Sequence, residues 1–260
     1  MRTLPLTFAA IAAVSLASSL AHAQDASDAP PAAPAPPAAP PPAPPPPAVL
    51  VLPRLGFHLG GSTKETVACT GASCNEAQTY SNGSDTPALG LDLLARVTPG
   101  LRLGVATQLV PDSTLSIVTS NRSIGSDLSV RGVVEGVIAV GPVALHLRGQ
   151  VGMVKLFQGG ALTTFADQKR GECSAAKASG TATSCSVDVT SGVGLSYGLG
   201  IGGSYAIGRT TALRVDLLYE AHSVTYLHRS AKGPGLDASS DNTLESSRTW
   251  LLAGVELGIL

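Results

Sequence analysis

Three histidines, His58, His146 and His222, fall on the polar positions of alternating segments that also carry Ser196, Asp216 and Glu220. A serine, a histidine and an acid held together could serve as nucleophile, base and orienting group, the set used by lipid-modifying enzymes. Any polar cavity supplies the same residue types, however. Histidines hydrogen-bonded within an interior network are the preferred reading, so no catalytic residue is assigned and no enzyme is expected. The sequence has no phosphate-binding loop, nucleotide fingerprint or metal-ligand cluster, and therefore implies neither cofactor nor metal.

The same polar phase carries charges of both signs. Arg54, Asp92, Arg96, Arg102, Arg131, Glu135, Arg148, Arg214, Asp216, Glu220 and Glu256 join His58 and His146 there. Mixed signs on one face predict ion pairs, provided the chain brings those faces together.

The segments that must do so alternate apolar with polar or glycine at the two-residue period of strands, and no helical periodicity is evident. Eight are legible: about 52–61, 89–97, 101–110, 127–140, 143–157, 189–205, 213–222 and 249–260. The sixth is the clearest. Val193, Leu195, Tyr197, Leu199 and Ile201 alternate with Gly194, Ser196, Gly198, Gly200 and Gly202. Tight turns at Thr98-Pro99-Gly100, Gly141-Pro142 and residues 207–210 alternate with long polar connections at 62–86, 111–126, 158–187 and 223–248. An up-and-down antiparallel barrel puts alternate connections at opposite rims, so the long loops share one end and the short turns share the other with both chain ends.

A soluble barrel would show the same alternation with its faces reversed. A water-facing exterior needs charge, yet the polar face of the sixth segment is glycine and serine, which suits a crowded interior. Lysines concentrate in the connections, as Lys64, Lys169, Lys177 and Lys232 show. The fold class predicted is therefore all-β: an eight-stranded transmembrane β-barrel whose Leu/Val face meets lipid and whose closure pairs every backbone group. Its interior is just wide enough for side chains, so the charges read as a lumen ion network that plugs the barrel. A narrow gated path is the alternative, helped by the room the glycines leave. Phe57, Phe157, Tyr197, Tyr205, Tyr219, Tyr226 and Trp250 could supply a thin interfacial girdle.

Four cysteines fall in the long connections, Cys69 and Cys74 in the first and Cys173 and Cys185 in the third. Two local disulfides are the natural pairing in an exported chain. Zinc is the rival reading, but the spacings match no standard finger and no connection places a histidine beside them.

Export is read from the first residues. Arg2 precedes an apolar run from Leu4 to Leu20 and the small-residue sequence Ala21-His22-Ala23, which predicts a signal peptide over 1–23. Residues 24–48 form a proline/alanine-rich spacer that can be neither helix nor central strand, and at about 3.1 Å per residue it could reach on the order of 60 Å into a periplasm. It is read as a linker, with docking to a periplasmic partner as the alternative. The barrel occupies 49–260. A formal net charge of −1 gives nucleic acid no handle.

With signal peptide, eight alternating segments and short-turn/long-loop asymmetry in place, residues 49–260 resemble the small bacterial outer-membrane barrels of the OmpA and OmpX type. The resemblance implies a monomer in the outer membrane, surrounded by lipid and inserted by the barrel-assembly machinery. Members usually finish in a lipid-facing aromatic residue, whereas this chain ends at Leu260 with its apolar phase running through Leu257 and Ile259. The function expected is a structural or surface-interaction role through the outer loops. A porin-like solute or ion pore is the alternative, and a lipid-modifying enzyme a remote one.

Overall fold

The computed structural model describes residues 48–70, 76–82, 87–117 and 120–259. The predicted signal peptide and, apart from Ala48, the proline-rich spacer lie outside them. Ten strands and one helix follow in order: β1 (Val49–Thr70), β2 (Glu76–Asn82), β3 (Ala88–Thr98), β4 (Leu101–Ile117), β5 (Ser120–Val140), β6 (Val143–Gln158), α1 (Gly160–Ala178), β7 (Ser184–Val189), β8 (Val193–Ala206), β9 (Thr211–Gly233) and β10 (Leu236–Ile259).

All strand pairs are antiparallel, and the ring closes because β10 pairs with both β9 and β1. It has eight walls. β3 and β2 together make one, both lying between β1 and β4. β8 and β7 make another, since both pair with β9 in succession. Three short turns close one rim. Gly141 takes φ 62° in one of them, a conformation that costs a side-chain-bearing residue strain. Val49 opposite Ile259 places the start of β1 and the end of β10 at this same rim.

Apolar side chains ring the outside. Ile138, Leu147, Met153, Leu199 and Ile201 are each more than 60% exposed, and their neighbours on every wall continue the belt. A soluble protein does not leave so continuous an apolar surface in water. On β8 the outward apolar phase runs from Val193 to Tyr205. At about 3.3 Å per residue and a tilt of about 40°, such a strand spans roughly 30 Å, the thickness of a hydrocarbon core. No helix is long and apolar enough to cross a membrane among the described residues.

Three of the four long connections are strand rather than loop for much of their length. β1 continues to Thr70, β4 runs to Ile117 and β5 starts at Ser120, and β9 and β10 run on to a two-residue connection at 234–235. Alternation marks a strand only where one face meets lipid and the other does not. Beyond the apolar belt the outward face is polar while the inward face mixes hydroxyls with apolar residues such as Leu115, Tyr226 and Leu244, so the pattern fades while the backbone ladder continues. Cross-strand hydroxyl pairs replace it, including Thr63 with Ser246 at 2.6 Å, Thr70 with Ser239 at 2.6 Å and Thr225 with Thr243 at 3.0 Å.

The third connection holds α1, which the sequence did not announce. Its buried residues are only Leu162, Ala166 and Cys173, too sparse a stripe to register as helical periodicity. Ion pairs one turn apart, Asp167 with Arg170 at 2.8 Å and Lys169 with Glu172 at 2.8 Å, support its wet face. Gly180 ends it, with φ 75° and an N–H donated to the Lys177 carbonyl.

Two members of the expected aromatic girdle are interior instead. Trp250 and Tyr226 are 0% and 1% exposed, whereas Phe57, Phe157, Tyr197, Tyr205 and Tyr219 face outward. Strand parity is the reason: Trp250 alternates with the outward Leu251, and Tyr226 is an odd number of residues from the outward Tyr219 on the same strand.

Candidate functional site

The lumen collects charge because every wall contributes its inward phase to one narrow core. Six arginines (54, 102, 131, 148, 214 and 248) and six acids (Asp92, Asp127, Glu135, Asp216, Glu220 and Glu256) are buried among the described residues, so the interior is charge-balanced.

Nearest the short-turn rim, Glu135 of β5 is the hub. Arg214 of β9 grips it with two guanidinium nitrogens, Arg102 of β4 lies 3.1 Å from it, and His146 Nδ1 of β6 lies 3.4 Å away. Arg102 also reaches Glu256 at 3.0 Å, while His146 Nε2 pairs with Ser204 at 2.9 Å. One carboxylate thus ties four walls together, and the forked Arg–carboxylate contact fixes their spacing.

A second level centres on Asp92. Arg54 donates to one of its oxygens at 2.6 Å and Arg148 to the other. Asp216 links the two levels, bound by Arg214 at 2.8 Å and approached by Arg54 at 3.5 Å. Farther up, Arg131 pairs with Glu220 at 2.7 Å and donates from Nε to Ser196 at 2.9 Å. Above that, Arg248 donates to Asp127 at 2.7 Å and to Ser113 at 3.0 Å, and Ser113 donates to the same carboxylate at 2.6 Å.

The room left by the glycines of β8 is taken by neighbouring side chains. A methyl group added at Gly198 would meet Gln150 Nε2 at 2.8 Å, one at Gly200 would meet Leu218 at 3.3 Å, and one at Gly202 would meet Asp216 Oδ1 at 1.8 Å. The bare face therefore accommodates long residues from β6 and β9. Apolar layers alternate with the charged ones. Ala88, Val110, Leu218, Trp250 and Leu252 pack in the middle, and at the far mouth Leu162 and Ala166 of α1 pack on Leu115, Ile124, Val154, Leu156 and Tyr226. Between that cap and the Asp127 level lies a cavity of about 10 Å³, the space of one water, beside His222.

Of the thirteen predicted lumen residues, eleven are buried: ten are joined by ion pairs, and His146 joins them through Ser204 and its approach to Glu135. Arg96 and His58 differ. Arg96 is half-buried opposite Arg102 near the rim and makes no salt bridge among the described residues, and His58 is half-buried against Trp250, with ring centroids 5.3 Å apart. Asp127 and Arg248 complete the network although sequence reasoning left them at strand edges. Asp127 shares the parity of Arg131 and Glu135, and Arg248 that of Trp250 and Leu252, so extending the phase would have found both. The three histidines occupy different surroundings. Ser196 stands opposite His222 on β8 and β9, but its hydroxyl accepts from Arg131, which Glu220 also engages.

Cys173 and Cys185 form a disulfide joining α1 to β7, with 5.6 Å between Cα atoms. The expected partner of Cys69, Cys74, lies outside the described residues. No cluster of three or more metal-binding side chains occurs among the described residues.

A scan against protein-family models found no match, and a search of curated proteins found none. Solved structures do match. The outer membrane protein OprG from Pseudomonas aeruginosa is 14% identical with a TM-score of 0.50, over 82% of this chain and 96% of that one. The outer membrane protein AlkL is 13% identical with a TM-score of 0.46, over 85% and 94%, and Neisserial surface protein A is 10% identical with a TM-score of 0.39, over 81% and 97%. The closed ring and its likeness to OprG give the chain the fold of the small eight-stranded outer-membrane β-barrels, of the OmpA and OmpX type.

Proposed function

We propose that this protein is a closed barrel of the bacterial outer membrane that acts as a structural or surface-interaction protein through the strand extensions and helix at its long-loop end. The single observation that carries the reading is the balanced interior of six arginines and six acids, paired across the lumen and capped by apolar layers. An ion crossing it would have to break buried, hydrogen-bonded pairs, each costly to open. In this reading residues 1–23 are a signal peptide, the proline-rich spacer lies in the periplasm on the side of the short turns, lipid surrounds a monomeric wall, and the barrel-assembly machinery inserts it. The barrel is non-catalytic, a reading supported by the engagement of Ser196 and Glu220 with one guanidinium.

Conductance in a planar bilayer tests it. The refolded chain should insert as a heat-modifiable barrel and stay electrically silent, and Glu135→Ala and Arg131→Ala should each bring intermittent leak. Discrete, regular openings of the unaltered protein, with a size that these substitutions change, would make the lumen a pore and replace this reading.

A further inference from the structure

The long-loop mouth contains a second cavity, an open pocket of about 280 Å³ lined by α1, β7, β9, β10 and the upper end of β1. It is separate from the charged lumen, which lies below the apolar cap. Its size suits a compact ligand, smaller than the drug-sized molecules that fill larger pockets.

The chemistry of its lining is uneven. Ala176 and Val187 and the Cys173–Cys185 disulfide give it apolar walls. Lys169 and Glu172 face each other on α1 with contacts of 2.8 and 3.0 Å, so their charges cancel locally. Arg229 of β9 is different. It is half-buried, its Nε donates to Ser240 at 3.0 Å, and it makes no salt bridge among the described residues. Among the described residues the lining thus carries two cations, Lys169 and Arg229, against one carboxylate, Glu172, whose field also reaches Arg229, together with a hydroxyl that orients the guanidinium and an apolar remainder. A guanidinium in that position binds a carboxylate through charge-assisted hydrogen bonds.

We propose that this mouth cavity binds a small monocarboxylate with a compact apolar body, the carboxylate on Arg229 and the body against Ala176, Val187 and the disulfide. A phosphate dianion would need more donors than Arg229 and leave the apolar walls unused. The inference rests on the proposed orientation only for which side of the membrane the cavity faces. Binding itself is independent of whether the lumen conducts.

Benzoate and its neutral analogue benzamide test it, by titration calorimetry on the folded full chain in detergent, with empty micelles as the reference. Benzoate should bind saturably and at least about tenfold more tightly than benzamide, a difference of about 1.4 kcal/mol. Arg229→Gln should remove that preference. Ala176→Trp should fill the cavity and abolish both signals, while Glu172→Gln, which removes a repelling carboxylate and frees Lys169, should strengthen benzoate a few-fold. Heat-modifiable mobility confirms that each variant is folded. Equal binding of benzoate and benzamide, full retention of the preference in Arg229→Gln, displacement of benzoate by inorganic phosphate at equal concentration, or no signal beyond empty micelles would each overturn the proposal.

Discussion

The two halves of the barrel hold themselves together by different chemistry. Inside the apolar belt, buried arginines and carboxylates pair across the lumen, as Glu135 does with Arg102 and Arg214. Beyond the belt, the walls continue as polar ribbons joined by hydroxyl ladders, and their interior is filled by an apolar cluster under a disulfide-tied helix. The lower half must satisfy every polar group internally, because lipid lies on one side and a packed core on the other. The upper half has solvent to fall back on. Its hydroxyl contacts are individually weak and locally replaceable.

The sharpest way to break this contrast is to remove the hub. Glu135→Ala leaves Arg102, Arg214 and His146 without their shared carboxylate, and the destabilisation should be about 3–5 kcal/mol, as expected when one partner of a buried pair is lost. Urea unfolding of the refolded barrel, followed by its heat-modifiable mobility, measures it. A cost near that of an exposed pair would mean that water reaches this level and would undo the distinction between the halves.

The disulfide should behave in the opposite way. Replacing Cys173 and Cys185 together by Ser releases α1 from β7, and for a loop with a sequence separation of 12 the chain-entropy model gives about 3 kcal/mol. That cost should stay local. Protease nicking across residues 160–190 should rise, while the urea midpoint of the barrel stays within experimental scatter. A fall in the midpoint as large as that of Glu135→Ala would show the two halves to be one cooperative unit.

The same contrast explains what could be read from the sequence. Within the belt, lipid on one face and charge on the other impose a strict two-residue period, so the walls, the short turns and most lumen residues were legible from Leu55, Asp92, Leu199 or Arg214 alone. Above the belt the outward face no longer meets lipid and the inward face is only partly apolar, so that period weakens. Ser62, Thr66 and Ser247 are acceptable on either face of a wet ribbon, and 62–86, 111–126 and 223–248 consequently read as loops. α1 escaped for a related reason, since it buries only Leu162, Ala166 and Cys173 and leaves most of its other residues exposed. Trp250 and Tyr226 show the cost of judging by residue type: as aromatics they suggest a girdle, but their parity puts them inside. Pairings such as Glu135 with residues of three other walls were beyond sequence reading, because they depend on closure of the ring.

The smallest expected effect lies at Tyr226, whose phenol makes a part-buried polar contact in the upper core. Its phenol donates to Glu65, and Asn242 donates to the same carboxylate at 3.2 Å. Burial, followed by Glu65, holds the phenol well above the ordinary tyrosine value. Tyr226→Phe should cost the upper ribbons about 1–2 kcal/mol near neutral pH, the usual worth of a hydrogen bond to a charged group in a partly wet setting. The sign of the pH dependence follows from the raised value. The contribution of Tyr226 is complete below the unfolded-state value of about 10 and is lost as pH rises through the folded-state value, because only the unfolded chain ionises readily in between. The difference in protease resistance between parent and Tyr226→Phe should therefore be constant from neutral pH to about 9 and narrow above about 10. If it widened instead, the phenolate would be the form that the upper core prefers, and the contact with Glu65 could not be the one that holds β9 to β1.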